Sequence, residues 1–190
     1  MKYAMNFELL QQKIEQATKQ AFLEMHLQHG AEGIYAFALY SDEGAMTVCP
    51  STNTQTALKA YDAVEDRIYY QFEPAEWKYE MQGADAAFNQ ISAEVYAASE
   101  QCLQYDEDGE YIESEAFNLF RETLFDCCFK VLLKLKQENF FYNLVQQDVF
   151  LMFSVSEYEF DQEKLKKMII QLNDNPYQTE YLAWMQTWSE

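Results

Sequence analysis

Histidine is nearly missing from this chain: only His26 and His29 stand among 190 residues. Glycine (5) and proline (3) are scarce, and 13 Lys and Arg face 32 Asp and Glu. Each shortage excludes something. Two His three apart cannot form H-E-x-x-H, which needs spacing four and an internal Glu, and they leave little for a nucleophile–His pair. A solvated helix end explains them better than a metal site. There is no G-x-G-x-x-G, no G-x-x-x-x-G-K and no G-x-S-x-G, so phosphate loops and a nucleophile elbow are absent from the sequence. The formal charge of −19 speaks against nucleic acid and anionic membranes as partners, because both are gripped by basic side chains. The four Cys (Cys49, Cys102, Cys127, Cys128) make no C-x-x-C pair and read as buried thiols of a reducing compartment. Val149 to Phe153 is the longest apolar run of the C-terminal half and is far too short for a bilayer. The first eight residues lack a signal-peptide core. A soluble, cytoplasmic protein is expected, without cofactor or metal.

What is present is apolar and aromatic. Hydrophobic residues make up 49% and aromatics 16%, enough to build a packed core. The length suits one domain, residues 1–190, and no repeat or linker divides it.

The pattern predicts a helix capped by Asn6, with Phe7, Leu10, Ile14, Ala17, Ala21 and Met25 on one face and Gly30 as its left-handed stop. Ile34 to Tyr40 is apolar throughout, as a strand covered on both faces would be. After the Ser41–Gly44 turn, residues 45–49 read as the returning strand, ended by Pro50. Thr52-x-x-Gln55 reads as a capping box before a helical stripe of Ala57, Tyr61, Val64 and Ile68. Residues 77–81 alternate as a third strand, with Lys78 and Glu80 facing water. A helix from Ala84 to Cys102, a polar connector, a helix from Ser114 and a buried strand at 149–155 follow. Phe160 and Leu165 flank an Asp161 cap, and Asn175-Pro176 opens a last helix with Tyr181, Trp184 and Trp188 on one side. The class is α+β: a small, mainly antiparallel sheet packed against several helices.

From Tyr79 to Phe120 there is no Lys or Arg. The connector Asp106, Glu107, Asp108, Glu110, Tyr111 and Glu113 is its densest acidic part. As an EF-hand it fails, with Tyr111 where Gly and Phe117 where Glu is required. These six residues are the candidate partner-binding site, since an acidic field attracts basic proteins and speeds their encounter. Tyr105, Tyr111, Trp184 and Trp188 are candidate contact rings.

The segment IYAFALYSDEGAMTVCPSTNT (Ile34 to Thr54), with Glu76-Trp77 and Leu172-Asn173 near a Pro, resembles a bacterial family, domain of unknown function 4303. The resemblance covers most of the chain. The stretch LNDNP is looser than the family's compact Leu-Asn-Pro. The resemblance implies a fold and no catalytic residue. The expected function is a non-catalytic protein-binding domain, in its sharper form an immunity-like inhibitor of a toxin with a basic surface. The alternative is an enzyme with a cleft lined by carboxylates and Tyr.

Overall fold

A computed structural model describes residues 5–105, 107–108, 111–112, 114–156 and 160–189. Helix α1 (Phe7–His29) opens at Asn6, whose side chain accepts from the Leu9 N–H at 3.1 Å. Its buried face includes Leu10, Ile14, Ala17, Ala21 and Met25, as the spacing predicts. Gly30 is not the left-handed residue. It stays right-handed (φ −57°), and Gly33 (φ 76°) makes the reversal after a 3-10 turn. Gly30 instead provides clearance, because a Cβ there would lie 3.0 Å from His26 Nδ1.

Strand β1 (Ile34–Asp42) is buried along almost its whole length. The returning strand β2 is Cys49–Thr54, not residues 45–49, and Pro50 lies inside it opposite Leu39. Pro50 is tolerated because its carbonyl accepts from the Met81 N–H. Its ring nitrogen therefore points away from β1, so no bond to β1 is lost. The helix cap is Thr54, not Thr52: Thr54 Oγ1 accepts from the Ala57 N–H at 3.2 Å. The stripe from Ala57 to Ile68 is not one helix. It divides into α2 (Gln55–Leu58), a 3-10 turn and α3 (Arg67–Phe72). The cause is visible in Tyr61 and Tyr70, whose rings stack at 4.0 Å. A straight helix would hold residues nine apart about 13 Å apart.

Strand β3 is only Tyr79–Glu80, with Trp77 and Tyr79 buried and Lys78 exposed. Helix α4 (Asp85–Ser99) follows. The polar connector contains a two-stranded pair, β4 (Gln104–Tyr105) and β5 (Tyr111–Ile112). Then come α5 (Glu115–Gln137), capped by Ser114, α6 (Phe140–Val145), β6 (Phe150–Ser156), α7 (Gln162–Leu172) and α8 (Pro176–Met185). Asp161 caps α7 as expected, accepting from the Lys164 N–H at 2.9 Å.

The sheet order is β3-β2-β1-β6. Only β1–β6 is parallel, so the fold is α+β with a mostly antiparallel sheet. One sheet face carries Phe37, Leu39, Leu151 and Phe153 against α1, α4, α5 and α6. The other carries Ala36, Ala38, Phe150 and Met152 against Leu58, Phe72, Ile169, Tyr181 and Met185. Helix α7 runs along the β6 edge and serves both layers, sending Met168 and Leu172 to the first and Leu165 and Ile169 to the second. Among the described residues no helix is long and apolar enough to cross a membrane.

Candidate functional site

Both helical layers carry exposed acids with no ion pair among the described residues: Glu8, Asp85, Glu100 and Glu115 on the first, Glu65, Asp66 and Glu76 on the second. On the α1/α5/α7 side, basic residues are matched by acids. Lys13 meets Glu94 at 2.7 Å, and Lys19 and Lys134 both reach Glu15 at 2.7 Å. Lys136 meets Asp174, and Lys164 meets Glu122. On the α3/α8 side the described residues form one ion pair. Arg67 is held by Asp62 Oδ1 at 3.0 Å and by Gln71 Oε1 at 3.0 Å.

The same layer carries a chain of ring contacts. From the core outward, Phe150 contacts Phe72 (4.9 Å between centroids), Phe72 contacts Trp184 (6.1 Å), Trp184 contacts Tyr69 (6.4 Å), and Tyr69 meets Tyr70 (5.6 Å), which stacks on Tyr61. Tyr181 and Trp184 lie on α8 and Trp188 in the 3-10 turn that follows it (Gln186–Ser189), and the three rings meet. Their planes cross at 81°, 81° and 89°, with centroids 4.9 to 6.1 Å apart, so the three rings form a corner. Val64, Ile68, Tyr69 and Trp188 stay exposed. Such apolar exposure among acids is the composition of a contact surface.

Inside the corner lies a cavity of about 360 Å³, floored by Met152, Val155 and Leu165 and walled by Tyr181, Trp184 and Trp188. Among the described residues, one charged side chain lines it: Glu73. Pro74 and the following 3-10 turn fix Glu73, whose carboxylate accepts a long bond from the Ala75 N–H at 3.4 Å. Burial, and then the neighbouring Glu76, push the Glu73 carboxyl above the ordinary value of 4.5. Burial also raises the Tyr181 phenol, and the Glu73 charge adds to it.

Beneath this layer a polar network is closed. The Tyr35 hydroxyl donates to the Gln71 carbonyl at 3.0 Å and accepts from Asn53 Nδ2 at 3.0 Å, while Gln71 Nε2 donates to Glu180 at 2.8 Å. Glu32 is likewise saturated. It meets His29 Nδ1 at 2.9 Å and accepts from the Tyr79 hydroxyl at 2.8 Å and from Thr54 at 3.1 Å, with the His29 and Tyr79 rings stacked at 4.0 Å. This ties the end of α1 to β2 and β3 and explains His29 without a ligand. Burial raises the Cys49 thiol to about 11, which makes it a poor nucleophile.

A second cavity, about 500 Å³ between α5 and α7, has Phe125, Phe129, Phe153 and Phe160 as its floor. Lys164 and Glu122 pair across it, and Asp126, Asp161 and Lys167 also line it.

Of the residues expected at the acidic connector, Glu107 and Asp108 are exposed in the turn between β4 and β5. Tyr111 belongs to β5 by its backbone. Asp106, Glu110, Glu113 and the Tyr111 side chain lie outside the described residues. Trp184 and Trp188 do sit together at the surface. Glu73 escapes sequence reasoning because only the approach of α8 gives it its walls; the Tyr69-Tyr70-Gln71-Phe72 run before it is the one local signal.

The model of a domain of unknown function, DUF4303, matches residues 14–174. The chain belongs to this family. The match runs from α1 through Asp174 and so takes in the whole four-stranded sheet, β4 and β5, α7 and Glu73, while Trp184 and Trp188 lie beyond it. No curated protein and no solved structure matches the chain.

Proposed function

We propose that this DUF4303 chain is a non-catalytic protein-binding domain of the bacterial cytoplasm. In its sharper form it is an immunity-like inhibitor whose acidic, ring-rich face covers a basic surface on a toxin. One observation supports this reading: unpaired acids and exposed aromatics occupy the same helical layer, around α3 and α8. Rings supply rigid contact area, and unmatched negative charge selects and steers a basic partner.

A second reading, an enzyme with a carboxylate- and Tyr-lined cleft, rests on Glu73, whose carboxyl is shifted upward inside a cavity beside Tyr181. The binding reading is preferred because, among the described residues, Ser154 is the one hydroxyl of nucleophile type in that lining, and no His, Lys or Cys lines it to act as its base.

The test is capture from the native host by the immobilised chain at low salt, followed by graded salt elution. A basic protein retained by the wild type and lost from the triple variant E65Q/D66N/E76Q is the expected result. Retention of nothing basic, or equal retention by the variant, removes the reading.

A further inference from the structure

We infer that the Glu73 cavity is a seat for one cationic side chain, a Lys or Arg, presented by the protein that this face binds. The inference rests on the binding reading above and names what that surface takes. A carboxylate that lines the same cavity as an aromatic corner suits a long side chain with an apolar stem and a positive tip. The stem packs on the rings, and the tip meets both the negative faces of the rings and the carboxylate. The cavity, about 360 Å³, is at the small end of ligand sites, and Met152, Val155 and Leu165 give it an apolar floor. Among the described residues its lining holds no Lys or Arg, so Glu73 meets no counter-charge from them there. An anion would meet Glu73 with no cation to offset it, and a neutral apolar group would bury the carboxylate unpaired. A cation alone satisfies both the rings and the acid.

The seat is tested on the whole chain with small probes: acetyl-arginine methylamide, acetyl-lysine methylamide and the uncharged acetyl-citrulline methylamide. Binding is read from tryptophan fluorescence and from NMR shifts of the Trp184 and Trp188 indoles. The two cations are expected to saturate with a Kd on the order of 1–10 mM, and citrulline is not. Glu73→Gln and Trp188→Ala are each expected to weaken the cations about tenfold. Saturation by arginine alone or by lysine alone keeps the seat and names its guest. Equal binding of citrulline, unchanged binding by Glu73→Gln, or no saturation by either cation overturns it. The two readings fail separately. Cations that bind to a chain retaining no basic protein leave the seat and remove the partner. A basic protein held equally by wild type and Glu73→Gln does the reverse.

Discussion

Asn173 completes the outer edge of β6 by bonding both main-chain groups of Leu151. Its Oδ1 accepts from the Leu151 N–H at 2.8 Å, and its Nδ2 donates to the Leu151 carbonyl at 2.9 Å. Nδ2 also reaches the Ile169 carbonyl at the end of α7, at 3.1 Å. One buried amide therefore stands at Leu151 where a further strand would pair. Replacing Asn173 by Ala leaves two buried backbone groups without partners. A loss of about 2–5 kcal/mol is expected in urea unfolding. A loss below about 1 kcal/mol counts against this role.

Tyr35 performs a related task on the second sheet face. Its hydroxyl joins Asn53 to Gln71 in a fully buried setting. Tyr35→Phe keeps the ring and removes the link, and should lower stability by about 1–3 kcal/mol. Chemical denaturation reads this directly, and a neutral outcome would show that the amide of Asn53 finds another acceptor.

The Glu73 carboxyl sets a pH dependence of unusual sign for an acid. Burial raises its folded value above 4.5, so the folded state holds this proton more tightly than the unfolded chain does. The cost of its charge is present above the folded value and is relieved as pH falls towards 4.5. Glu76, Tyr69 and Tyr181 face it; Glu76 adds to the shift, and burial raises both phenols, which stay neutral in this window. Glu32 works in the opposite sense, since His29, Tyr79 and Thr54 hold its carboxyl low; its stabilisation is present above 4.5 and lost as pH falls through the folded value. The contrast between wild type and Glu73→Gln isolates the first effect. At pH 7 the variant should melt no lower than wild type, and the difference should shrink as pH falls towards 4.5. A variant that melts lower at pH 7 would contradict the burial argument.

Two acidic places compete for the steering role. Neutralising Asp106, Glu107 and Asp108 to Asn or Gln is expected to slow association with the captured basic partner about 3- to 10-fold at low salt, with stability changed by less than about 0.5 kcal/mol. Neutralising Glu65, Asp66 and Glu76 should slow association and also quicken dissociation, because those groups border the contact rings. Stopped-flow mixing at two salt concentrations separates the two sets. Unchanged low-salt association rates in both would end the steering idea.

The legible parts of the fold were those whose partners lie in the local pattern. The unbroken apolar run of β1 announces two covered faces, and the three-four steps of α1 and α5 announce their buried sides. Strand β2 was misplaced because Cys-Pro-Ser-Thr-Asn-Thr looks like a turn. Three of its buried polar side chains are satisfied from afar, while Thr52 Oγ1 is buried without a partner among the described residues: Ser51 donates to the Pro74 carbonyl at 2.8 Å, Asn53 to Tyr35, and Thr54 to Glu32. No local period records such partners. The aromatic side of α8 was readable from spacing, but the carboxylate it encloses was not, since Glu73 and Tyr181 meet only in the folded chain.

The parallel bond between β1 and β6 has a consequence for synthesis. The central strand emerges from the ribosome early, yet one of its two neighbours, paired from Ala36↔Phe150 to Asp42↔Ser156, follows more than a hundred residues later. Closing so long a loop is slow, because its entropy is lost before the contacts repay it. The nascent chain must therefore shelter a bare apolar ribbon, from Ile34 to Tyr40, until Phe150 to Ser156 have been made. Stalled or clipped chains ending before Phe150 are expected to clump or to be held by chaperones.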